Sequence, residues 1–174
     1  MKTKIAIPTA ISSLRIAALP LFIYLYGLGN VVWCLVLLAV CAASDFFDGY
    51  AAKKLDAATR LGAYFDASTD FVITGGIFAF FGVLGLYPIW LPVVIAISFF
   101  LFLVTALLAK KLYDPVGRYL GSALYIGIVL TLLWPTPAVF VFVEVAFILF
   151  FAVSLISRAT SLTRKDSGYE SGLV

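Results

Sequence analysis

Asp45-Phe-Phe-Asp48-Gly49-Tyr-Ala-Ala52-Lys53-Lys54-Leu-Asp56-Ala-Ala-Thr-Arg60-Leu-Gly62-Ala-Tyr-Phe-Asp66-Ala-Ser-Thr-Asp70 is the stretch around which the chain is organised. It holds five of the nine acidic residues. Asp56 reads as a solvated loop residue, and the other four form two pairs beside long apolar runs. Placed on helices, Asp45 and Asp48 are spaced i, i+3 and Asp66 and Asp70 i, i+4, so each pair shares a face. At 100° per residue, Asp45, Asp48, Gly49 and Ala52 fall within about a 100° arc of one helix. Gly62, Asp66 and Asp70 fall within about 80° of the next. Two carboxylate pairs with Gly and Ala between them describe a metal site open to a bulky ligand.

The surroundings are those of a membrane protein. The chain is 64% hydrophobic and 12% charged, about half the charged fraction of an ordinary soluble domain. Its apolar residues run in stretches near the length that crosses a bilayer core as a helix. The spacing of turn residues predicts six spans: about 8–27, 31–55, 61–84, 89–109, a fifth helix opened by Asp114-Pro115 and ending near Leu133, and 138–156. Residues 1–159 then form one transmembrane domain, and 160–174 read as a polar, structureless cytoplasmic tail.

Charge tests this count. With six spans, the amino terminus, the second–third and fourth–fifth connections and the tail share one side. These carry Lys2 and Lys4, Lys53 to Arg60, Lys110 to Arg118, and Arg158 to Lys165, or eleven of the twelve basic residues. Arg15 lies inside the first span, and the three opposite turns have no Lys or Arg. The positive-inside rule puts both termini in the cytoplasm. All four paired aspartates then sit in the inner leaflet of the cell membrane, reached from the cytoplasm. An ionisable group inside a membrane is costly enough to imply function.

Four clustered carboxylates cannot all stay ionised without a counter-charge. Histidine is absent, and Cys34 and Cys41 lie in one apolar run as packing residues. Oxygen-only ligands suit Mg²⁺ or Mn²⁺, expected here as two ions, with open positions for phosphate oxygens. The net charge of +3 follows from span-end residues and does not indicate nucleic-acid binding. The residues alone therefore point to metal-assisted phosphoryl or diphosphate chemistry at the cytoplasmic membrane surface. A cation or proton-coupled transporter is the competing class, although its outer half would offer only Glu144, read here as an interhelical or oligomer contact.

Asp45-x2-Asp48-Gly49-x2-Ala52-Lys53-x8-Gly62-x3-Asp66-x3-Asp70 resembles the signature of the CDP-alcohol phosphotransferases, with a feel closest to phosphatidylglycerophosphate synthase-type members. Lys53 stands where the family usually has Arg. The resemblance implies a homodimeric, six-helix membrane enzyme of phospholipid synthesis. A phosphatidyl-type group would pass from a CDP-linked lipid to a small polar alcohol, with release of CMP. It implies that Asp45, Asp48, Asp66 and Asp70 ligate metal and that Asp70 also takes the alcohol's proton. Gly49 and Ala52 would leave room for the nucleotide, and Gly62 and Lys53 would border it, Lys53 at the diphosphate.

Glycerol 3-phosphate is the first acceptor suggested, with inositol phosphate or serine next. A soluble CDP-alcohol with a lipid acceptor remains the alternative arrangement. Lys110, Lys111 and Arg118 are candidate acceptor-binding residues or simple topological anchors. Phe71 departs from many glycerophosphate-accepting relatives, which have Lys there. Gly117 and Gly121, spaced G-x-x-x-G, are expected to serve close helix packing.

Overall fold

The computed structural model describes residues 17–54, 60–108 and 119–170, with side chains described for 17–44, 67–104 and 119–157. Every regular element among these is helical: α1 (Ala17–Gly27), α2 (Val31–Lys54), α3 (Arg60–Val83), α4 (Trp90–Leu108), α5 (Leu120–Leu133) and α6 (Pro137–Glu170). Apart from the end of α6, the boundaries follow those read from the turn residues to within a residue or two wherever the chain is described. The start of the fifth helix at Asp114-Pro115 and the first half of the first span lie outside the described residues.

Two of the turns are built alike. The Asn30 N–H donates to the Leu25 carbonyl at 3.1 Å and the Gly29 N–H to Tyr26 at 2.9 Å, while Gly29 has φ +72°. At the end of α3 the Leu86 N–H donates to Phe81 and the Gly85 N–H to Gly82, both at 3.0 Å, with Gly85 at φ +75°. Both ends are Schellman motifs, in which a left-handed glycine lets the last turn satisfy its own carbonyls. Helix α6 opens with Pro137 at its first position, where a missing N–H costs nothing, and the Thr136 carbonyl accepts from Val139 and Phe140.

Helix α6 does not stop where the apolar run stops. It continues to Glu170, through residues expected to be structureless. The physical reason is local: Arg158–Tyr169 has no proline, one glycine, and several good helix formers, so nothing ends a helix already nucleated upstream.

Helix α3 is the centre of the bundle, packing on α4 and α5, while α6 and α2 pack on α5. Its core-facing residues Ile73, Ile77, Phe78 and Phe81 are all but sealed from the surface. Phe78 meets Phe147 of α6 edge-on, with ring centroids 5.3 Å apart at 82°, and Tyr87 at 5.5 Å. Phe81 touches Phe22 of α1 at 6.2 Å. These rings form one continuous cluster between the helices. Each such edge-to-face pair adds about 0.5–1.5 kcal/mol beyond area burial.

Glycines permit the closest approaches. A Cβ at Gly127 would lie 3.1–3.3 Å from Phe147, Phe78 and Val143, and one at Gly76 would lie 2.6 Å from Leu19. Buried hydroxyls bond back along their own helices, Ser98 to the Val94 carbonyl at 2.8 Å and Thr131 to Gly127 at 2.7 Å. Thr131 spends its hydrogen on that carbonyl, so the Tyr87 phenol is the donor in the 2.6 Å Tyr87–Thr131 bond.

The outer surface is strongly apolar. Phe142, Leu149 and Ile156 of α6 are 61–65% exposed. Among the described residues, Pro137–Ser157 is the one segment long and apolar enough to cross a membrane; shorter apolar segments occur in the other five helices.

Candidate active site at the start of α3

The two acidic pairs fall on helices joined by a five-residue connection, residues 55–59, which lies outside the described residues. Asp48 is six residues before the end of α2 and Asp66 six residues after the start of α3. At 1.5 Å per residue both stand about 9 Å along their helices from the connection. Asp45 and Asp70 are likewise matched, at about 13–15 Å. The four aspartate positions thus stand at similar distances along their two helices from the connection.

Of the four, Asp70 is the one whose side chain is described. It is half-buried, and its backbone carbonyl accepts a 2.7 Å hydrogen bond from Thr74. The side chains of Asp45, Asp48, Gly49, Ala52, Lys53, Gly62 and Asp66, and the whole of Lys110, Lys111 and Arg118, lie outside the described residues. Among the described residues no three metal-capable side chains come together. Asp70 is the one signature carboxylate described there, and its oxygens have the chemistry that suits a hard divalent cation.

Asp70 borders a cavity of about 200 Å³ between α3, α4 and α5. Phe71 from α3, Phe99 and Phe102 from α4, and Gly121 and Leu124 from α5 form its wall. Among the described residues, every lining residue except Asp70 is apolar. Phe71 and Phe99 stack face to face, 4.1 Å between centroids and 3° from parallel. Gly75, one turn on, makes this possible, because a Cβ there would lie 3.1 Å from the Phe71 ring.

Two features here escape the sequence reading. Among the described residues a Cβ added to Gly121 would meet nothing within 4 Å, so Gly121 borders the cavity rather than a packed helix, while Gly117 lies outside the described residues. The Phe71–Phe99 wall was signalled only by the aromatic residue standing directly after Asp70. At the far end of the bundle, Glu144 is half-buried in α6. Burial pushes the Tyr87 phenol above its ordinary 10.0, and the Glu144 charge raises it further.

An all-helical bundle with paired aspartates near one interhelical connection, and a cavity beside the last of them, is the arrangement the site presents. The chain belongs to the CDP-alcohol phosphatidyltransferase family, whose model matches residues 5–163. It is similar to a Mycobacterium tuberculosis protein provisionally named cardiolipin synthase, 32% identical over 87 residues, covering 49% of this chain and 42% of that one. It is also similar to a Yersinia pestis CDP-diacylglycerol–glycerol-3-phosphate 3-phosphatidyltransferase, 34% identical over 71 residues and covering 38% of each chain. These matches span about two fifths of the relatives' own lengths. No solved structure matches the chain.

Proposed function

We propose that the protein is a phospholipid-synthesis enzyme of the cytoplasmic membrane. It transfers a phosphatidyl-type group from a CDP-linked lipid to a small polar alcohol and releases CMP. The observation that carries this reading is the family match over 5–163, with all four signature aspartates present in register. The relatives' names, one a synthase of cardiolipin and one a transferase to glycerol 3-phosphate, agree with it. Glycerol 3-phosphate is the acceptor we favour.

Six spans with both termini cytoplasmic suit the one-sided placement of the basic residues and the apolar outer surface. The aspartates then open toward the cytoplasm, where CMP and a polar acceptor exchange. A homodimer is part of the proposal through the family alone.

Asp45, Asp48, Asp66 and Asp70 are the residues that would hold Mg²⁺ or Mn²⁺. When bound, the ions supply charge stabilisation to phosphoryl oxygens. The rest falls to the chain. Gly49 and Ala52 leave space for the cytidine nucleotide, Gly62 borders it, and Lys53 offers a positive charge to the diphosphate. A lysine does so as a point charge, without the two-pronged grip of arginine. Asp70 takes the proton as the alcohol oxygen forms its bond to the lipid-bearing phosphorus. The bond from that phosphorus to the CMP oxygen breaks, and CMP departs. Lys110, Lys111 and Arg118, in the basic α4–α5 connection, would hold a phosphorylated acceptor.

The test is CMP release by purified protein given a CDP-linked lipid, Mg²⁺ and one candidate acceptor at a time. Release that depends on one acceptor, and is lost with EDTA, is the expected result. Cation movement across liposomes without nucleotide, with no CMP release from any combination, would replace this reading with the transporter.

A further inference from the structure

The three tryptophans of the chain stand at one end of the bundle, opposite the aspartates. Trp33 is the third residue of α2, Trp90 opens α4, and Trp134 directly follows α5. The turns beside them are tied together, by the Tyr26–Phe80 ring contact at 5.6 Å and the Tyr87–Thr131 hydrogen bond. All three indoles are exposed, by 41–60%. The turns themselves, residues 28–30, 84–89 and 134–136, hold no charged residue. Apolar side chains at this end are exposed as well, among them Leu28, Val83 and Ile89.

A surface of this kind suits neither bulk water nor hydrocarbon. Water would face an uncharged, contiguous apolar end. Hydrocarbon would leave each indole N–H without an acceptor. The boundary between lipid headgroups and acyl chains meets both needs, with apolar contact for the ring and an acceptor for its one donor. The indoles share a level but not a helix, which suits a ligand that surrounds the bundle.

We propose that Trp33, Trp90 and Trp134 seat this end of the bundle in the lipid headgroup boundary, whose partner chemistry is the ester and phosphate oxygens found there. This rests on the membrane-spanning bundle of the proposed function. The seating has a consequence for the acidic site. Asp70 lies thirteen residues before the end of α3 at Val83, about 20 Å down an upright helix. A hydrocarbon core about 30 Å thick then leaves Asp70 about 10 Å from the opposite boundary. Asp66, one turn further, stands about 5 Å from it. The carboxylates are thus held within reach of the opposite headgroup layer, below the centre of the bilayer.

Depth-dependent fluorescence quenching tests the seating. The full-length protein is reconstituted into phosphatidylcholine vesicles whose acyl chains carry bromine either near the headgroup or near the chain middle. Wild type is measured first, then three variants that each keep one tryptophan and have Phe at the other two positions. Head-proximal bromine should quench every native indole about twofold more than mid-chain bromine. Phe100→Trp, with all three native tryptophans replaced by Phe, supplies the contrast. Phe100 is exposed and lies ten residues after Trp90 on α4, about 15 Å down the helix. Its quenching should be reversed, strongest with mid-chain bromine.

Native indoles quenched most by mid-chain bromine would overturn the proposal. So would indoles quenched by aqueous acrylamide and by neither lipid, which would put this end in water. Indoles shielded from acrylamide and both lipids would also overturn it, by assigning the surface to a protein partner. In those three outcomes, mid-chain quenching of Phe100→Trp would leave the membrane-spanning bundle standing. If no lipid quenched Phe100→Trp either, the bundle and the seating would fall together. CMP release in the same vesicles reads the proposed reaction separately.

Discussion

The two halves of α3 face opposite demands. Around Ile77, Phe78 and Phe81 every neighbouring space is filled, and rings from α1, α6 and the α3–α4 turn meet edge to edge. Two turns earlier, Asp70 and Phe71 are half-buried beside a cavity. Helix α5 repeats the contrast with two glycines. A Cβ on Gly127 would press on three side chains, and one on Gly121 would press on none. One end of the bundle is a clamp and the other an opening. The difference teaches that a small bundle can carry an acidic group beside a cavity at one end when the same helices are fixed firmly a few turns away.

Substitutions should separate the two ends cleanly. The largest effect belongs to the open end: Asp70→Asn should lower CMP release by about a hundredfold or more, with a melting temperature in detergent close to wild type. At the clamp, Phe78→Ala should cost about 3–5 kcal/mol of stability through the cavity it leaves, read as a fall in melting temperature. If it instead spared stability and abolished CMP release, the division of labour along α3 would be wrong.

The glycine pair gives a smaller, more pointed contrast. Gly127→Leu should destabilise by about 1–3 kcal/mol through overpacking, whereas Gly121→Leu should leave the melting temperature unchanged or raised. Smallest is Tyr87→Phe, expected to cost about 1 kcal/mol for one hydrogen bond. The phenol's value is raised in the folded protein, so its contribution is complete below pH 10 and shrinks above it. There the unfolded chain releases the proton that the folded one still holds, and stability falls with rising pH. Tyr87→Phe should flatten that alkaline decline in a melting series.

The fold was legible because apolar runs and left-handed glycines are local signals. Gly29 and Gly85 mark helix ends in the sequence as clearly as in the structure. The helical continuation through Arg158–Glu170 was not legible, because polarity was taken for lack of structure where only hydrophobicity had ended. The helices that carry the acidic pairs were legible, and on a helix i, i+3 and i, i+4 positions share a face before any packing is known. The cavity was not. Its wall joins Phe71, Phe99 and Leu124 from three helices, and no spacing within one helix announces a contact between them. Gly121 shows the same limit: a glycine four residues after another reads as close packing, and only the neighbouring helices reveal that it faces open space.

The central claim is that the aspartates of α2 and α3 act as one divalent-cation site beside this opening. Mn²⁺ titration of the purified protein, followed by electron paramagnetic resonance, tests it most directly. Saturable binding of two ions, competed by Mg²⁺ and weakened in both Asp45→Asn and Asp70→Asn, is the result expected. Binding that ignores these substitutions, or no binding by a folded protein, would contradict it.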